Sequence, residues 1–263
     1  MAGEGATMNI WALLPEVAAV IVVALLAAGA HRLLQKRLAY KGGAAHNEVA
    51  GFLFSVIGVI YAVLLGFVVV VVWEKYDAAV ANTETEVAAV SDLYRAVDAF
   101  PPPLRDSIRR MTHEYLDVVR DQEWPAMSAG HRPTAAVAVV ERIAYAVNRY
   151  DARTNAEQDA HQAAMLQVQR LLDARRVRLH DNEASVPPIL WFALIAGGLA
   201  TVCFAFLFGV ENKGAQLVMT GALAAVIAIL FVVIYEFDFP YGGAVGIAPG
   251  DWTVLHDRLN LIR

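Results

Sequence analysis

Residues 49–73 read VAGFLFSVIGVIYAVLLGFVVVVVW, a run of 25 residues that contains no charged side chain. Glu48 precedes this run and Glu74 follows it. About 20 consecutive apolar residues allow an α-helix to cross the ~30 Å hydrocarbon core of a bilayer. Soluble helices rarely stay apolar on every face over such a length. The run therefore predicts a helix that spans a membrane.

Three further segments are similarly apolar, and they cover about residues 10–34, 186–210 and 214–235. Of all residues, 58% are hydrophobic and 18% are charged, whereas soluble domains carry more charge and less apolar surface. We predict an all-α, multi-pass protein of the cell membrane, with four transmembrane helices in two pairs surrounded by the lipid bilayer. Aromatic residues, which favour bilayer interfaces, stand near several predicted ends: Trp11, Trp73, Trp191 and Tyr235.

A polar stretch between the two pairs predicts a soluble helical bundle. At its start, mostly apolar side chains recur every three or four residues, as on one face of a helix; they are Val80, Thr83, Val87, Val90, Tyr94 and Val97. Because no helix-breaking residue separates Trp73 from Val80, we expect the second transmembrane helix to continue into the bundle. The prolines at 101–103 should end it, since proline lacks a donor and clashes with the preceding turn.

Two more helical segments follow, one over 104–118 and one from Thr134 to about residue 182, for which a bend near Asn155 is an alternative. The predicted domains are 10–73, the first transmembrane pair; 74–185, the bundle; 186–236, the second pair; and 237–263, a C-terminal tail.

Small residues line one face of two predicted membrane helices, and such residues let helix backbones approach closely in lipid. Two readings stay open, packing within one subunit or between subunits. The helix-packing candidates are Gly51, Ser55, Gly58, Ala62 and Gly66 in the second segment, and Ala193, Gly197, Thr201, Ala205 and Gly209 in the third. The opposite face of the second helix meets either lipid or an apolar pore; its candidate pore-lining residues are Ile60, Leu64, Phe67 and Val71.

Reactive residues form no recognisable catalytic, cofactor-binding or metal-binding set, so we predict that the protein is not an enzyme and has no cofactor. The net charge is −5 and long basic runs are missing from the sequence, which argues against nucleic-acid binding. Glu236 and Asp238 lie at the end of the fourth apolar segment. They belong either to an interfacial turn or to an acidic pore mouth that attracts cations.

Basic residues give two opposing indications of sidedness. Arg32, Lys36, Arg37 and Lys41 follow the first segment and Lys213 precedes the fourth, which places these short loops in the cytoplasm and the bundle outside. A second basic group ahead of the third segment favours a cytoplasmic bundle: Arg170, Arg175, Arg176 and Arg178. We favour the outside placement because short loops carry more weight in this rule.

The stretch Tyr61-Ala62-Val63-Leu64-Leu65-Gly66-Phe67, which runs on through Trp73 and Tyr76, resembles a bacterial membrane family of unknown function that carries a bestrophin-like domain. The resemblance covers residues 47–249. True bestrophins are pentameric anion channels with four membrane helices and a helical domain between the second and third. The resemblance implies a homo-oligomer, the second helix as pore helix and an inorganic ion as partner. Further pieces that carry it are Glu86 through Leu93-Tyr94, Tyr115 through Glu123-Trp124, and Asp238-Phe239-Pro240 through Gly243.

Two functions follow as expectations. The first is an oligomeric, bestrophin-like ion channel, favoured by uncharged helices, small-residue stripes and the extended second helix. The alternative is a non-conducting membrane scaffold or sensor whose helical domain binds a partner.

Overall fold

A computed structural model of the chain describes residues 13–38, 44–183, 185–208 and 212–261. Within these ranges every regular element is helical. The predicted positions 10–12 and Gly209 lie outside the described residues. The α-helices are α1 (Leu14–Leu38), α2 (Ala44–Ala96), α3 (Pro102–Val118), α4 (Trp124–Ser128), α5 (Val137–Asn148), α6 (Asn155–Glu183), α7 (Pro188–Ala205), α8 (Lys213–Asp238) and α9 (Gly250–Leu261).

Four of the described helices, α1, α2, α7 and α8, carry segments that are long and apolar enough to cross a membrane. They coincide with the four apolar segments of the sequence. The predicted all-α fold with four membrane-spanning helices is therefore confirmed.

Helix α2 is one uninterrupted helix of 53 residues, about 80 Å long at the usual rise of 1.5 Å per residue. A 3₁₀ turn over Val97–Ala99 ends it, and Phe100 is extended. Pro101 then precedes α3, whose first residues are prolines, because the first turn of a helix has no use for the missing donor. The predicted continuation of the second apolar segment is thus present in the structure.

The chain forms two compact units, which we call unit 1 and unit 2. Unit 1 contains residues 75–183 and 239–261 of the described chain, so the residues that we treated as a tail pack with it. Trp252, Leu255 and Leu259 of α9 are buried in its core. The rest of that core comes from the end of α2, from α3, α4, α5 and α6, and from connecting segments that include Val119, Tyr241 and Ile247.

The segment that we predicted from Thr134 to about residue 182 is two helices, α5 and α6, separated by residues 149–154. A capping box starts α6. Thr154 Oγ1 accepts the Glu157 N–H at 3.2 Å, and Glu157 Oε2 accepts the Thr154 N–H at 3.1 Å. This reciprocal arrangement satisfies backbone donors that a helix start leaves free.

Unit 2 contains the described residues among 13–74 and 185–238. Helix α1 packs along α8, and α7 also packs on α8. The start of α2 contributes Tyr61, Leu65, Val68 and Val72 to a core that includes Leu194 and Ile234. Many apolar side chains of this unit point outward, as expected of helices whose surroundings are lipid.

Candidate functional site

Helix α2 presents three distinct faces within unit 2. Residues advance by about 100° around a helix, so the buried Tyr61, Leu65, Val68 and Val72 share one face. The small-residue stripe and the candidate pore stripe lie on either side of this buried face. The two predicted stripes are therefore the flanks of α2, and its own chain covers the face between them.

The candidate pore stripe is mostly exposed. Ile60 is 66% exposed, Phe67 69% and Val71 56%. Leu64 differs, since it is partly buried and packs against the unit 2 core. Three of the four candidates are thus free to face lipid or a pore, and Leu64 takes part in packing within the chain.

The small-residue stripe on α2 lacks close neighbours over much of its length. A Cβ placed on Gly58 or Gly66 would meet nothing within 4 Å in the described part of the chain. Ala62 is exposed, and so is Ser55, which donates to the Gly51 carbonyl at 2.8 Å. A Cβ on Gly51 would lie 3.9 Å from Phe208.

The small-residue stripe on α7 does meet α2. A Cβ on Gly197 would lie only 2.6 Å from the Tyr61 ring, so glycine is needed for this approach. Thr201 is buried and donates to the Gly197 carbonyl at 2.8 Å. Ala193 and Ala205 are half-buried.

The two acids at the end of α8 are both buried. Glu236 is 4% exposed and Asp238 is fully buried. The Asp238 carboxylate accepts the Ser185 hydroxyl at 2.6 Å and the Val186 N–H at 2.8 Å. Asp238 thereby fixes the segment that leads into α7, which gives this carboxylate a structural task in the single chain.

A buried group of charged side chains lies inside unit 1. Arg178 donates to Glu86 Oε2 at 2.5 Å and to Glu123 Oε2 at 2.9 Å. Arg175 donates to both carboxylate oxygens of Glu123, at 2.5 and 2.6 Å. Tyr115 donates to Glu86. We call these five residues the ionic cluster, and none of them is more than 4% exposed.

The ionic cluster joins most of the helices of unit 1. Glu86 lies on α2, Tyr115 on α3, Glu123 in the π-helical turn before α4, and both arginines on α6. The Arg178 guanidinium also lies 5.9 Å from the Trp124 ring and 5.7 Å from the Trp252 ring. Buried charges are stable only when they are paired and hydrogen-bonded, and these partners supply both conditions.

The surroundings of the ionic cluster determine which of its groups are charged. Burial disfavours the ionised form of Glu123, but hydrogen bonds from Arg175 and the charge of Arg178 outweigh it and lower the pKa of Glu123. Burial, with the negative charge of Glu86, raises the pKa of Tyr115 well above its ordinary value. Two carboxylates therefore balance two guanidinium groups, and the phenol stays neutral.

This cluster was not predicted from the sequence, in which Arg175 and Arg178 were taken only as charges that bear on sidedness. A signal was present: Val168, Leu171, Arg175 and Arg178 recur every three or four residues, which places both arginines on the apolar face of α6. The π-helical turn over Val119–Glu123, which aims Glu123 inward, has no such signal. The sidedness of the bundle stays a prediction.

Hydrogen bonds between polar side chains link α1 to α8 in unit 2. Gln35 Nε2 donates to His31 Nε2 at 2.9 Å and to Gln216 Oε1 at 2.7 Å. His31 Nδ1 then pairs with Thr220 Oγ1 at 2.8 Å. His31, Gln216 and Thr220 are all buried. We call these four residues the polar layer.

The geometry defines an all-α membrane protein whose second spanning helix runs on into a separate unit. A family model described as the bestrophin-like domain matches residues 17–251. The chain therefore belongs to the bestrophin-like family, as its sequence resemblance predicted. No curated protein sequence matches the chain.

Solved structures of membrane proteins share this fold. Two are variants of a bacterial bestrophin homologue from Klebsiella pneumoniae, each 12% identical. One has a TM-score of 0.65 over 94% of this chain and 97% of the other. The second has a TM-score of 0.63 over 94% and 99%. A third, described as a membrane protein, is 12% identical with a TM-score of 0.67 over 94% and 97%. At these identities the likeness shows the fold alone.

Proposed function

We propose that the chain assembles in the cell membrane as a homo-oligomeric, bestrophin-like channel for an inorganic ion, with α2 lining the pore. Membership of the bestrophin-like family supports this proposal. The observation that carries it is that α2 has two largely exposed stripes, the small-residue stripe and the candidate pore stripe. They lie on either side of the face that the rest of the chain covers.

The small-residue stripe on α2 supports assembly between subunits. Helices in lipid associate through close backbone approach at small residues, yet Gly58 and Gly66 have no close neighbour in the described part of the chain. A helix of a second subunit fits this free surface. The stripe on α7 is different, because Tyr61 of the same chain already fills the space beside Gly197.

The candidate pore stripe supports a hydrophobic constriction in the pore. In the proposed assembly, Ile60, Phe67 and Val71 of each subunit face the axis, on the flank of α2 opposite the small-residue stripe. Rings of such apolar side chains gate ion flow by excluding water. Glu236 and Asp238 are buried in the single chain, so an acidic pore mouth requires a conformational change that exposes at least one of them.

Planar-bilayer recording of the purified protein, with cryo-EM of the same sample in lipid, tests the proposal. We expect a ring with α2 nearest the axis and a measurable conductance. Phe67→Ala should increase the current through a wider constriction. Phe192→Ala is the matched control, because Phe192 on α7 is 68% exposed and Phe67 is 69% exposed. It should leave the current unchanged.

A stable monomer without conductance would contradict the proposal. That outcome would favour the alternative, a non-conducting scaffold or sensor whose helical unit binds a partner. Cross-linking in intact membranes would then be expected to capture a partner on unit 1, and Phe67→Ala would leave the capture unchanged.

A further inference from the structure

An apolar groove opens between α1 and α7 in unit 2. Helix α8 forms its floor, where Ala224, Ile227 and Ala228 are buried. The two walls carry exposed apolar side chains, among them Leu26 and Leu199. Its volume is about 550 Å³, within the range of small-molecule sites. Its lining residues are all apolar or glycine apart from Cys203.

The length of the groove matches one leaflet of a membrane. On α1 its lining runs from Ala19 to Ala30, which is about 16 Å along a helix axis. The hydrocarbon core of a bilayer is ~30 Å thick, so one leaflet is about half of that. The groove thus has the length and the chemistry of a single acyl chain that lies along the helices.

One end of the groove becomes polar abruptly. Ala30 and Phe206 line this end, and the next residue, His31, belongs to the polar layer. The Phe206 and His31 rings are 4.8 Å apart. A buried hydrogen-bonded layer at this depth is where an acyl chain would meet its headgroup, because polar groups are costly within hydrocarbon.

Positive charge follows at the same end. Arg32 is exposed on the face of α1 opposite the groove lining, and the sequence continues with Lys36, Arg37 and Lys41. Basic residues just beyond a membrane helix attract anionic headgroups, by about 1 kcal/mol for each residue near the surface. This positive charge therefore favours an anionic lipid as the source of the acyl chain.

We propose that the groove between α1, α7 and α8 is a binding site for an anionic phospholipid of the surrounding bilayer, with one acyl chain in the groove and the headgroup beyond Ala30 and Phe206, at the basic end of α1. This site is separate from the proposed pore stripe on α2. It does not depend on whether the protein conducts ions.

Cys203 provides a direct test, because it is the only cysteine in the chain and it is an exposed residue that lines the groove. The experiment measures the rate at which a small apolar maleimide alkylates Cys203 in the full-length, delipidated protein in detergent. Added phosphatidylglycerol should slow alkylation about fivefold, and the same amount of phosphatidylcholine should slow it less. Equal rates with and without phosphatidylglycerol would overturn the proposal.

Native mass spectrometry of matched variants gives an independent measurement. Ala27→Trp fills the groove and should reduce phosphatidylglycerol adducts about fivefold, while Ala18→Trp, at an exposed position of α1 outside the lining, should not. Arg32→Gln should reduce the advantage of phosphatidylglycerol over phosphatidylcholine, because it removes one of the four basic residues at this end of α1. If Cys203 reacts only after an oligomer is dissociated, with or without lipid, the groove is a contact between subunits and the lipid site is wrong.

Discussion

In unit 1 the fully buried side chains include Glu86, Glu123 and Arg178, whereas the most exposed side chains of unit 2 include Phe52, Phe67 and Val218. The predicted surroundings explain the difference. Unit 1, which we predict to lie in water, keeps many charges outside, and the few inside are paired with one another. Lipid makes exposure of apolar groups free of cost, so burial of apolar surface does not hold unit 2 together. Its helices rely on close steric fit and on a few hydrogen bonds.

The largest expected effect is loss of the central cation of the ionic cluster. Arg178→Met keeps an unbranched apolar stem but leaves Glu86 buried without its guanidinium partner. Removal of one member of a buried ion pair typically costs about 3–5 kcal/mol. Hydrogen exchange of the full-length protein in detergent should show strongly reduced protection of α3 and α6.

Arg176→Met is the matched control, because Arg176 lies on the same helix with its side chain 76% exposed and pairs with Asp173 at 3.1 Å. Exposed pairs contribute about 0–1 kcal/mol, so protection should hardly change. A double variant, Arg178→Met with Glu86→Leu, should recover part of the loss, since an apolar replacement removes the unpaired charge. Equal protection in both single variants would refute the assigned role of the cluster.

Prediction from sequence succeeds in this chain where a single local rule decides. Charge-free runs identify the membrane helices, and the prolines at 101–103 mark the boundary between α2 and α3. It falls short where distant segments meet. Glu86 and Arg178 are 92 positions apart, and their pairing depends on how four helices pack. The capping box at Thr154 had a readable pattern that was missed, whereas the π-helical turn before α4 had none.

The second prediction addresses the steric fit of unit 2. Gly197→Ala places a methyl group 2.6 Å from the Tyr61 ring, so either the ring or α7 must move. Overpacking of this kind costs about 1–3 kcal/mol, which the better helix propensity of alanine offsets by ~1 kcal/mol. Thermal unfolding in one detergent should therefore shift downward.

Gly29→Ala is the control for this position. A Cβ on Gly29 of α1 meets nothing within 4 Å in the described part of the chain, so only the gain in helix propensity remains. Its unfolding temperature should stay the same or rise slightly. If both variants unfold at the same temperature, close approach at Gly197 does not limit the packing of unit 2.

The smallest expected effect is a pH dependence that arises from the ionic cluster. The pKa of Glu123 is lowered from its ordinary value of 4.5, so the unfolded chain takes up this proton before the folded chain does. The stabilisation is complete above the ordinary value and is lost as the pH falls below it and through the folded pKa. Hydrogen exchange in α6, corrected for the intrinsic effect of pH, should therefore show protection that declines on acidification.

Glu123→Gln should start from lower protection at neutral pH and decline less steeply, because the amide cannot titrate. Glu141→Gln, at an exposed position of α5, should follow the wild-type curve. Parallel curves for wild type and Glu123→Gln would mean that another group sets the acid sensitivity of unit 1.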